Sequence, residues 1–348
     1  MHGVESTADG LQVVTVRGPI DPGALGVTLS HDHLIVDAFS LFGEASGNYA
    51  WILDDVDVAI REVAAFRSAG GGAICEPTNE GIGRNPVALR QISEATGVHV
   101  VMGAGWYRER AYPAYIAEEL PDQLADRLVR ELTLGVAETG VRAGFVGEIG
   151  TERRAISPAQ ERVFRAAARA HRRTGCPLMT HTTHFGELAL DQLALLAEEG
   201  VDPHRVIVSH LGDREGIRTL LPIAERGAWI NVDNLAFVSG YAPLALRADN
   251  VAALVAEGLL GQVMLSGDIC LVDQLASHGG PGYATVLVDF VPLLRERGLT
   301  EEQIRTLLVV NPARAFAYPA EAARQRYLAE NGTDPPTTSR AAPNVHAA

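Results

Sequence analysis

The stretch RVIVSHLGDREGIRTLLPIAERGAWINVDN (205–234) contains two short apolar runs separated by an amphipathic segment. The runs at 205–212 and 228–234 contain consecutive apolar residues, VIV (206–208) and AWI (228–230), as expected of parallel strands that are buried on both faces. The segment 214–226 between them carries apolar residues at helical spacing. The stretch therefore predicts a strand–helix–strand unit with parallel strands.

The same alternation runs through the rest of the chain. Further predicted strands lie at 27–34, 71–77, 98–105, 143–150, 177–182 and 262–268, and further predicted helices at 55–69, 118–137, 158–173 and 187–199. Eight strand–helix units predict an α/β protein with a (β/α)8 TIM barrel. A doubly wound open sheet is the alternative, but no predicted strand is followed by a GxGxxG turn.

The two ends of the chain differ from this pattern. The first 25 residues, with the motif PIDP, predict a short lead-in hairpin or cap over the barrel. Residues 331–348 are rich in Pro, Thr and Ala without periodicity, which predicts a disordered, flexible tail. We therefore expect one barrel domain over 1–330.

Composition narrows the classes of partner. The 348 residues carry a formal net charge of −14, and an acidic chain without basic clusters is not expected to bind nucleic acid or anionic membranes. Cys75, Cys176 and Cys270 have no paired spacing, so we expect reduced thiols. The N-terminal residues do not predict a signal peptide, and no apolar run of about 18 residues predicts a membrane span. A cytoplasmic protein acting on a small molecule is the expectation.

Polar residues follow the predicted strands, at the end where TIM barrels carry their active sites. His31 and His33 lie in GVTLSHDHLIVD (26–37), and side chains two apart in a strand point to the same face. This pair alone fits a metal site or a coincidental pairing equally well, and Asp32 between them is expected to face away. The other strand ends contribute Glu148, His181, His210 and Asp268.

Together these residues favour a metal site. Each one alone has an ordinary structural explanation, such as a hydrogen-bonded polar side chain at a strand end. Four histidines and two carboxylates are ligand types that zinc, manganese or iron accept. Because six groups exceed what one ion needs, the set predicts two divalent ions that share a bridging carboxylate. Such a pair activates a hydroxide and polarises a substrate oxygen, which predicts hydrolysis.

Motifs along the whole barrel carry a family resemblance. They are HDH after GVTL, GIGRN (81–85), GAGWYR (103–108), GFVGEIG, THT, SHLGD, LSGD and NPARAF. From about residue 11 to 317 the chain resembles the phosphotriesterase-like members of the amidohydrolase superfamily. The resemblance implies that His31 and His33 bind a more buried metal and that His181 and His210 bind a more exposed one. It also implies that Asp268 binds the buried metal and orients or deprotonates the bridging hydroxide.

Two positions depart from the family pattern. Many members bridge their metals with a carboxylated lysine on the fourth strand, whereas this strand offers Glu148. Glu148 falls one residue later than that lysine in an ungapped alignment, so a bridging role needs a local shift. The glutamate resembles the branch of phosphotriesterase homology and phosphotriesterase-related proteins. After the seventh strand, Asn234 replaces an arginine or a relay histidine, so Asp213 is expected to lack its usual partner.

The expected reaction is hydrolysis by a metal-bridging hydroxide that attacks a carbonyl carbon. The resemblance implies a small ester, a lactone or an N-acyl amide as substrate, with possible side activity on phosphotriesters. Asp268 would accept the proton, and Tyr107 would either orient the substrate or simply line the rim. Zinc is the expected metal, with Mn, Co or Fe as alternatives, and His184 has an open role. A homodimer is implied by resemblance, and a non-catalytic metal- or ligand-binding barrel is the alternative function.

Overall fold

Eight parallel strands, ordered around the sheet as they occur in the chain, form the core of the computed structural model, which describes residues 10–183 and 186–332. This arrangement confirms the predicted TIM barrel. The observed strands are shorter than the predicted ones, so most polar site residues lie just beyond a strand. The strands are β1 (Thr28–Leu29), β2 (Ala73–Glu76), β3 (His99–Ala104), β4 (Phe145–Gly150), β5 (Leu178–His181), β6 (Val206–Val208), β7 (Trp229–Val232) and β8 (Val263–Leu265).

The barrel closes where β1 meets β8. The backbone N–H of Ser30 points to the carbonyl of Leu265 at 3.5 Å, and that of His31 donates to the Ser266 hydroxyl at 2.9 Å. In return, the N–H of Asp268 donates to the carbonyl of His31 at 3.0 Å. The closing seam therefore contains two of the predicted site residues.

Helices follow the strands and cover the outside of the barrel. They are α1 (Val56–Ser68), α2 (Pro86–Thr96), α3 (Pro121–Thr133), α4 (Pro158–Thr174), α5 (Ala189–Glu198), α6 (Leu221–Glu225), α7 (Leu244–Ala256) and α8 (Val291–Glu296), with further helices Tyr115–Glu118, Glu301–Arg305, Asn311–Phe316 and Ala320–Asn331.

Local chemistry explains where these helices begin. At α4 the Ser157 hydroxyl accepts from the Gln160 N–H at 3.2 Å, and the Gln160 side chain accepts from the Ser157 N–H at 3.0 Å, which satisfies two free donors. The helix predicted at 214–226 is wrong over its first half. Gly216 has a φ of +75°, which is incompatible with a right-handed helix, so only the five residues of α6 are helical.

The amino-terminal end of the barrel is filled with apolar side chains. The predicted hairpin is present, since Val13–Thr15 pairs antiparallel with Gly18–Ile20. Val13 packs with Phe145 and Phe316 in one buried cluster, where the two phenyl rings lie 5.3 Å apart. The polar site therefore has only the opposite end of the barrel available to it. The tail is predicted at 331–348; its first residue, Asn331, ends the helix Ala320–Asn331, and 333–348 lie outside the described residues.

The loop after β1 folds over the carboxyl-terminal end of the barrel, where the polar site lies. Val36–Asp37 pairs antiparallel with Ile52–Leu53, and the rings of Phe42 and Trp51 pack 4.5 Å apart between them. The loop thus supplies apolar walls next to the site. In the part of the chain that the structure describes, no helix is both long enough and apolar enough to cross a membrane.

Candidate metal centre

His31 and His33 lie together, but for a different reason from the predicted one. Strand β1 ends at Leu29, so neither histidine is in a strand and the two-residue periodicity does not apply. Instead, the N–H of His33 donates to the carbonyl of Ile269 at 2.9 Å, which ties this turn to the segment after β8. The two imidazole rings end 5.5 Å apart.

Two groups of three side chains converge at the open end of the barrel. His31, His33 and Glu148 form the first triad, and Glu148, His181 and His210 form the second, with the potential ligand atoms of each triad within 4.8 Å of one another. The first triad is buried throughout, whereas His181 in the second is partly exposed. The structure therefore brings five of the six predicted ligands into two overlapping groups.

The carboxylate of Glu148 faces both triads, with one oxygen toward each. Oε1 lies 3.6 Å from Nε2 of His31 and 3.4 Å from Nε2 of His33. Oε2 lies 3.0 Å from Nδ1 of His181 and 3.5 Å from Nε2 of His210. This is the geometry that a bridging carboxylate needs.

A bulge in β4 provides the local shift that Glu148 requires. Val146 pairs with Leu178 of β5, and the next pair joins Ile149 to Thr180. Strand β4 therefore advances three residues while β5 advances two, and the extra residue is a β-bulge that redirects side chains. The bulge explains how Glu148 reaches the centre of the barrel although it lies one residue after the position of the family's lysine.

Asp268, the sixth predicted ligand, approaches the first triad. Its Oδ1 lies 3.4 Å from Nε2 of His31 and 3.6 Å from Nε2 of His33. Asp268 has a φ of +54° and His210 a φ of +64°, a region that residues other than glycine rarely occupy. Such strain persists where surrounding contacts enforce it, and it is concentrated at functional sites.

The ring nitrogens that face away from the centre are held by buried partners. Nδ1 of His33 contacts the Thr78 hydroxyl at 2.7 Å. Asp233 holds two histidines: its Oδ2 lies 3.2 Å from Nδ1 of His31, and its Oδ1 lies 3.1 Å from Nδ1 of His210. Partners of this kind orient a histidine so that its other nitrogen is available to a metal.

Sequence reasoning missed two carboxylates near the site. Asp233 is not among the predicted site residues, although its position directly after β7, in the motif VDN, is typical of a site residue in such a barrel. Asp32 is predicted to face away from the site, and that prediction does not include its structural role in holding the segment after β8. Its buried carboxylate accepts hydrogen bonds from the Ser266 hydroxyl at 2.5 Å and from the N–H groups of Gly267 at 3.0 Å and Ile269 at 2.8 Å. Asp32 therefore fixes the turn that carries Asp268.

The electrostatics of the centre suit a cation. Burial alone would lower the pKa of His33, but hydrogen bonds and charge from Asp268 and Glu148 raise it to about 9. Burial likewise opposes a raised pKa at His210, yet the charges of Asp233 and Asp268 raise it to about 10. For Glu148 burial would raise the pKa, but the histidines hold it well below its usual range. The carboxylates thus favour positive charge at His33 and His210, whereas burial followed by the charge of His210 lowers the pKa of His181 to about 4.

The donor set also fits divalent metal ions. Nε2 of His31 is buried and has no hydrogen-bond partner, while its Nδ1 is occupied by Asp233 and Ser209. Imidazole nitrogens combined with a shared carboxylate are ligands that Zn, Mn, Co and Fe accept. The residues present therefore fit two metal ions.

A cleft of about 210 Å³ opens over the centre. Its walls include Phe42 and Trp51 from the loop after β1, and Phe237 from the segment after β7. The Tyr107 hydroxyl lies 3.3 Å from Nε2 of His181, and burial followed by the charge of Glu148 raises the pKa of this phenol well above its usual value. Tyr107 is therefore a neutral hydrogen-bond donor next to the second triad.

The segment after β7 is held by a buried ion pair. Asp213 has a partner in α7 instead of at Asn234, since Nη2 of Arg247 lies 2.8 Å from its Oδ1, and both side chains are almost fully buried. Arg247 also donates to the backbone carbonyls of Asn234 and Phe237. Asn234 lines the cleft with its amide nitrogen 3.5 Å from Nδ1 of His210. His184 lies outside the described residues.

Comparison with known proteins adds an independent finding. The sequence profile of the phosphotriesterase family matches residues 11–316. The phosphotriesterase homology protein of Escherichia coli is 35% identical over 291 residues, which cover 84% of this chain and 98% of that protein. The chain belongs to the phosphotriesterase family.

Other proteins similar to this chain have different substrates in their names. The N-acetyltaurine hydrolase of Danio rerio is 29% identical over 348 residues, which cover 88% of this chain and 98% of that protein. The crystal structure of a lactonase from Listeria monocytogenes matches with a TM-score of 0.82 and 28% identity, over 88% of this chain and 98% of that one. Family membership and the two triads together support a metal-dependent hydrolase.

Proposed function

We propose that this protein is a binuclear metal-dependent hydrolase that cleaves a small carbonyl compound, namely an ester, a lactone or an N-acyl amide. The observation that carries the proposal is the position of Glu148, whose two carboxylate oxygens face different triads. A site for one metal ion does not require a carboxylate whose two oxygens face different groups of ligands. Residues 1–330 would form the catalytic unit.

Six side chains would hold the metals. His31, His33 and Asp268 would bind the deeper ion, His181 and His210 the shallower one, and Glu148 both. Two such ions supply a water nucleophile at neutral pH and polarise the substrate carbonyl. We propose zinc as the metal, with manganese, cobalt or iron as alternatives that the same ligands accept.

Asp268 and Tyr107 are the proposed catalytic residues. Asp268 lies at the edge of the cleft with its side chain 10% exposed, so its carboxylate can take the proton of the attacking water and deliver it to the leaving group. The Tyr107 hydroxyl donates a hydrogen bond to a substrate oxygen next to His181. Asn234 cannot relay a proton because an amide does not titrate.

The names of the relatives support a carbonyl substrate. A lactonase and an N-acetyltaurine hydrolase both attack a carbonyl carbon. The apolar walls from Phe42, Trp51 and Phe237 suit a substrate with an apolar part. Phosphotriester cleavage would be a slow side activity. Cytoplasmic location and a homodimer remain predictions.

The test combines metal content with a substrate panel. Protein saturated with zinc should hold two ions per chain by elemental mass spectrometry, and the same preparation should be assayed on lactones, aryl esters, N-acyl amino acids and phosphotriesters. Fewer than two ions at saturation contradicts the binuclear site. Two ions with no turnover of any compound favours the alternative, a barrel that binds metal without catalysis.

A further inference from the structure

Arg108 is a cation in the wall of the cleft, which it shares with apolar side chains, a few neutral polar ones and the residues of the metal site. Among the described residues that line the cleft, it is the only arginine or lysine. Its guanidinium carbon lies 5.7 Å from the centre of the Phe42 ring and 5.8 Å from that of Tyr107. The side chain is 20% exposed, so it is partly shielded from water but reachable from the cleft.

Arg108 and the metal centre share a neighbour, Tyr107. The Tyr107 hydroxyl lies next to His181, and the guanidinium of Arg108 lies near the ring of the same tyrosine. Arg108 and the second triad therefore both adjoin Tyr107. A small molecule with its carbonyl at the metal centre could reach Arg108 with its far end.

The present partner of Arg108 is exchangeable. Glu152 accepts from Nε of Arg108 at 3.1 Å and from Nη2 in a second bond, which makes a two-point contact. The Glu152 side chain is 42% exposed, so its carboxylate can move into solvent at little cost. A planar guanidinium offers the same two-point contact to any carboxylate or other oxyanion that replaces Glu152.

We propose that Arg108 binds an acidic group of the substrate, so that the enzyme acts on carbonyl compounds that carry a carboxylate or another oxyanion at their far end. This inference rests on the proposed hydrolase function and narrows its substrate class. Arg108 is a specificity-determining residue. The carbonyl lies at the metal centre, the apolar part lies against Phe42, and the acid displaces Glu152.

The experiment uses pairs of compounds that differ only in charge. N-acetyl-β-alanine is compared with its amide, and the acetate ester of 3-hydroxypropionate with its amide, on the zinc-loaded protein. We expect kcat/KM to favour the acid of a hydrolysed pair by roughly 10- to 100-fold, as charged hydrogen bonds do, with the difference mainly in KM. Arg108→Gln should bring the ratio close to one, and Arg108→Lys should keep part of it.

A second variant separates recognition from packing. Glu152→Gln removes the competing carboxylate and should lower KM for the acid while leaving the amide unchanged. If Arg108 only supports Tyr107 and Phe42, Glu152→Gln gives no gain and Arg108→Gln slows both compounds equally, which overturns the inference. The matched control is Arg153→Gln, because Arg153 forms an exposed pair with Glu187 and does not line the cleft.

The two proposals fail in different ways. If both members of a pair are hydrolysed at equal efficiency, the role of Arg108 is wrong and the hydrolase function stands. If neither these compounds nor any member of the panel of lactones, aryl esters, N-acyl amino acids and phosphotriesters is hydrolysed, the function proposal fails, and each intact acid or amide serves as a stable ligand for calorimetry. Tighter binding of the acid that is lost in Arg108→Gln then supports the anion site, and equal binding of acid and amide overturns it.

Discussion

Asp233 connects the two triads, and replacing it with asparagine tests that connection. Four donors point at its carboxylate: the backbone N–H and Nδ1 of His210 toward Oδ1, and Nδ1 of His31 and the Asn231 amide toward Oδ2. Asparagine has nearly the same shape, but one of its two terminal atoms is itself a donor. Asp233→Asn therefore changes the hydrogen bonding of the site with little change in volume.

The contacts predict which triad suffers more. The asparagine oxygen is best placed toward His210, where two donors from one residue meet it, so the new NH2 group faces His31 and Asn231. His31 must then accept at Nδ1 and carry its proton on Nε2, which removes the lone pair that a metal needs. Loss of such an outer partner costs about 10- to 100-fold in metal affinity.

A loss of stability should accompany the loss of affinity. One buried donor, the Asn231 amide, is left without an acceptor, which costs about 1–3 kcal/mol, so we expect the metal-free variant to lose roughly 1–3 kcal/mol of unfolding free energy. Zinc titration in metal-buffered solutions gives the two affinities, and denaturant unfolding gives the stability.

The control is the same substitution at another Asp–His pair. Asp202 accepts from Nδ1 of His204 at 2.9 Å, but both side chains are more than half exposed, and neither residue lines the cleft. Asp202→Asn should leave zinc binding unchanged. If Asp233→Asn binds two zinc ions with the affinity of the wild type, Asp233 does not orient the histidines and the reasoning is refuted.

Further substitutions test other parts of the site. Asp268→Asn should lower kcat by roughly 10²- to 10⁴-fold as expected for loss of a proton acceptor, and a variant with both ions and full activity would exclude that role. Glu148→Gln leaves one oxygen for two triads, so elemental analysis should find fewer than two ions per chain, whereas two tightly bound ions would contradict bridging. Arg247→Met leaves the buried carboxylate of Asp213 without its cationic partner and should lower the free energy of unfolding, measured with denaturant, by about 3–5 kcal/mol. Adding Asp213→Leu should recover much of that loss, and no recovery would show that Arg247 acts mainly through its backbone contacts.

The architecture and the ligand types could be predicted from local sequence. Apolar runs alternating with amphipathic segments determine a parallel barrel, because strands buried on both faces need apolar side chains throughout. The same pattern places His181, His210 and Asp268 at the carboxyl ends of strands, where such barrels assemble their sites. The loss of helix in the first half of 214–226 could not be predicted, because the left-handed conformation of Gly216 depends on its neighbours in the fold.

What only the tertiary structure decided is how those residues meet. Sequence left Glu148 one residue out of place, and the bulge between Val146 and Ile149 brings it between the triads. Sequence set Asp32 aside, yet its hydrogen bonds fix the turn at Gly267 and Ile269 from the opposite end of the chain. These contacts join residues more than two hundred positions apart. No local pattern records them, because hydrogen bonds across a closing seam depend on three-dimensional register and not on neighbours in sequence.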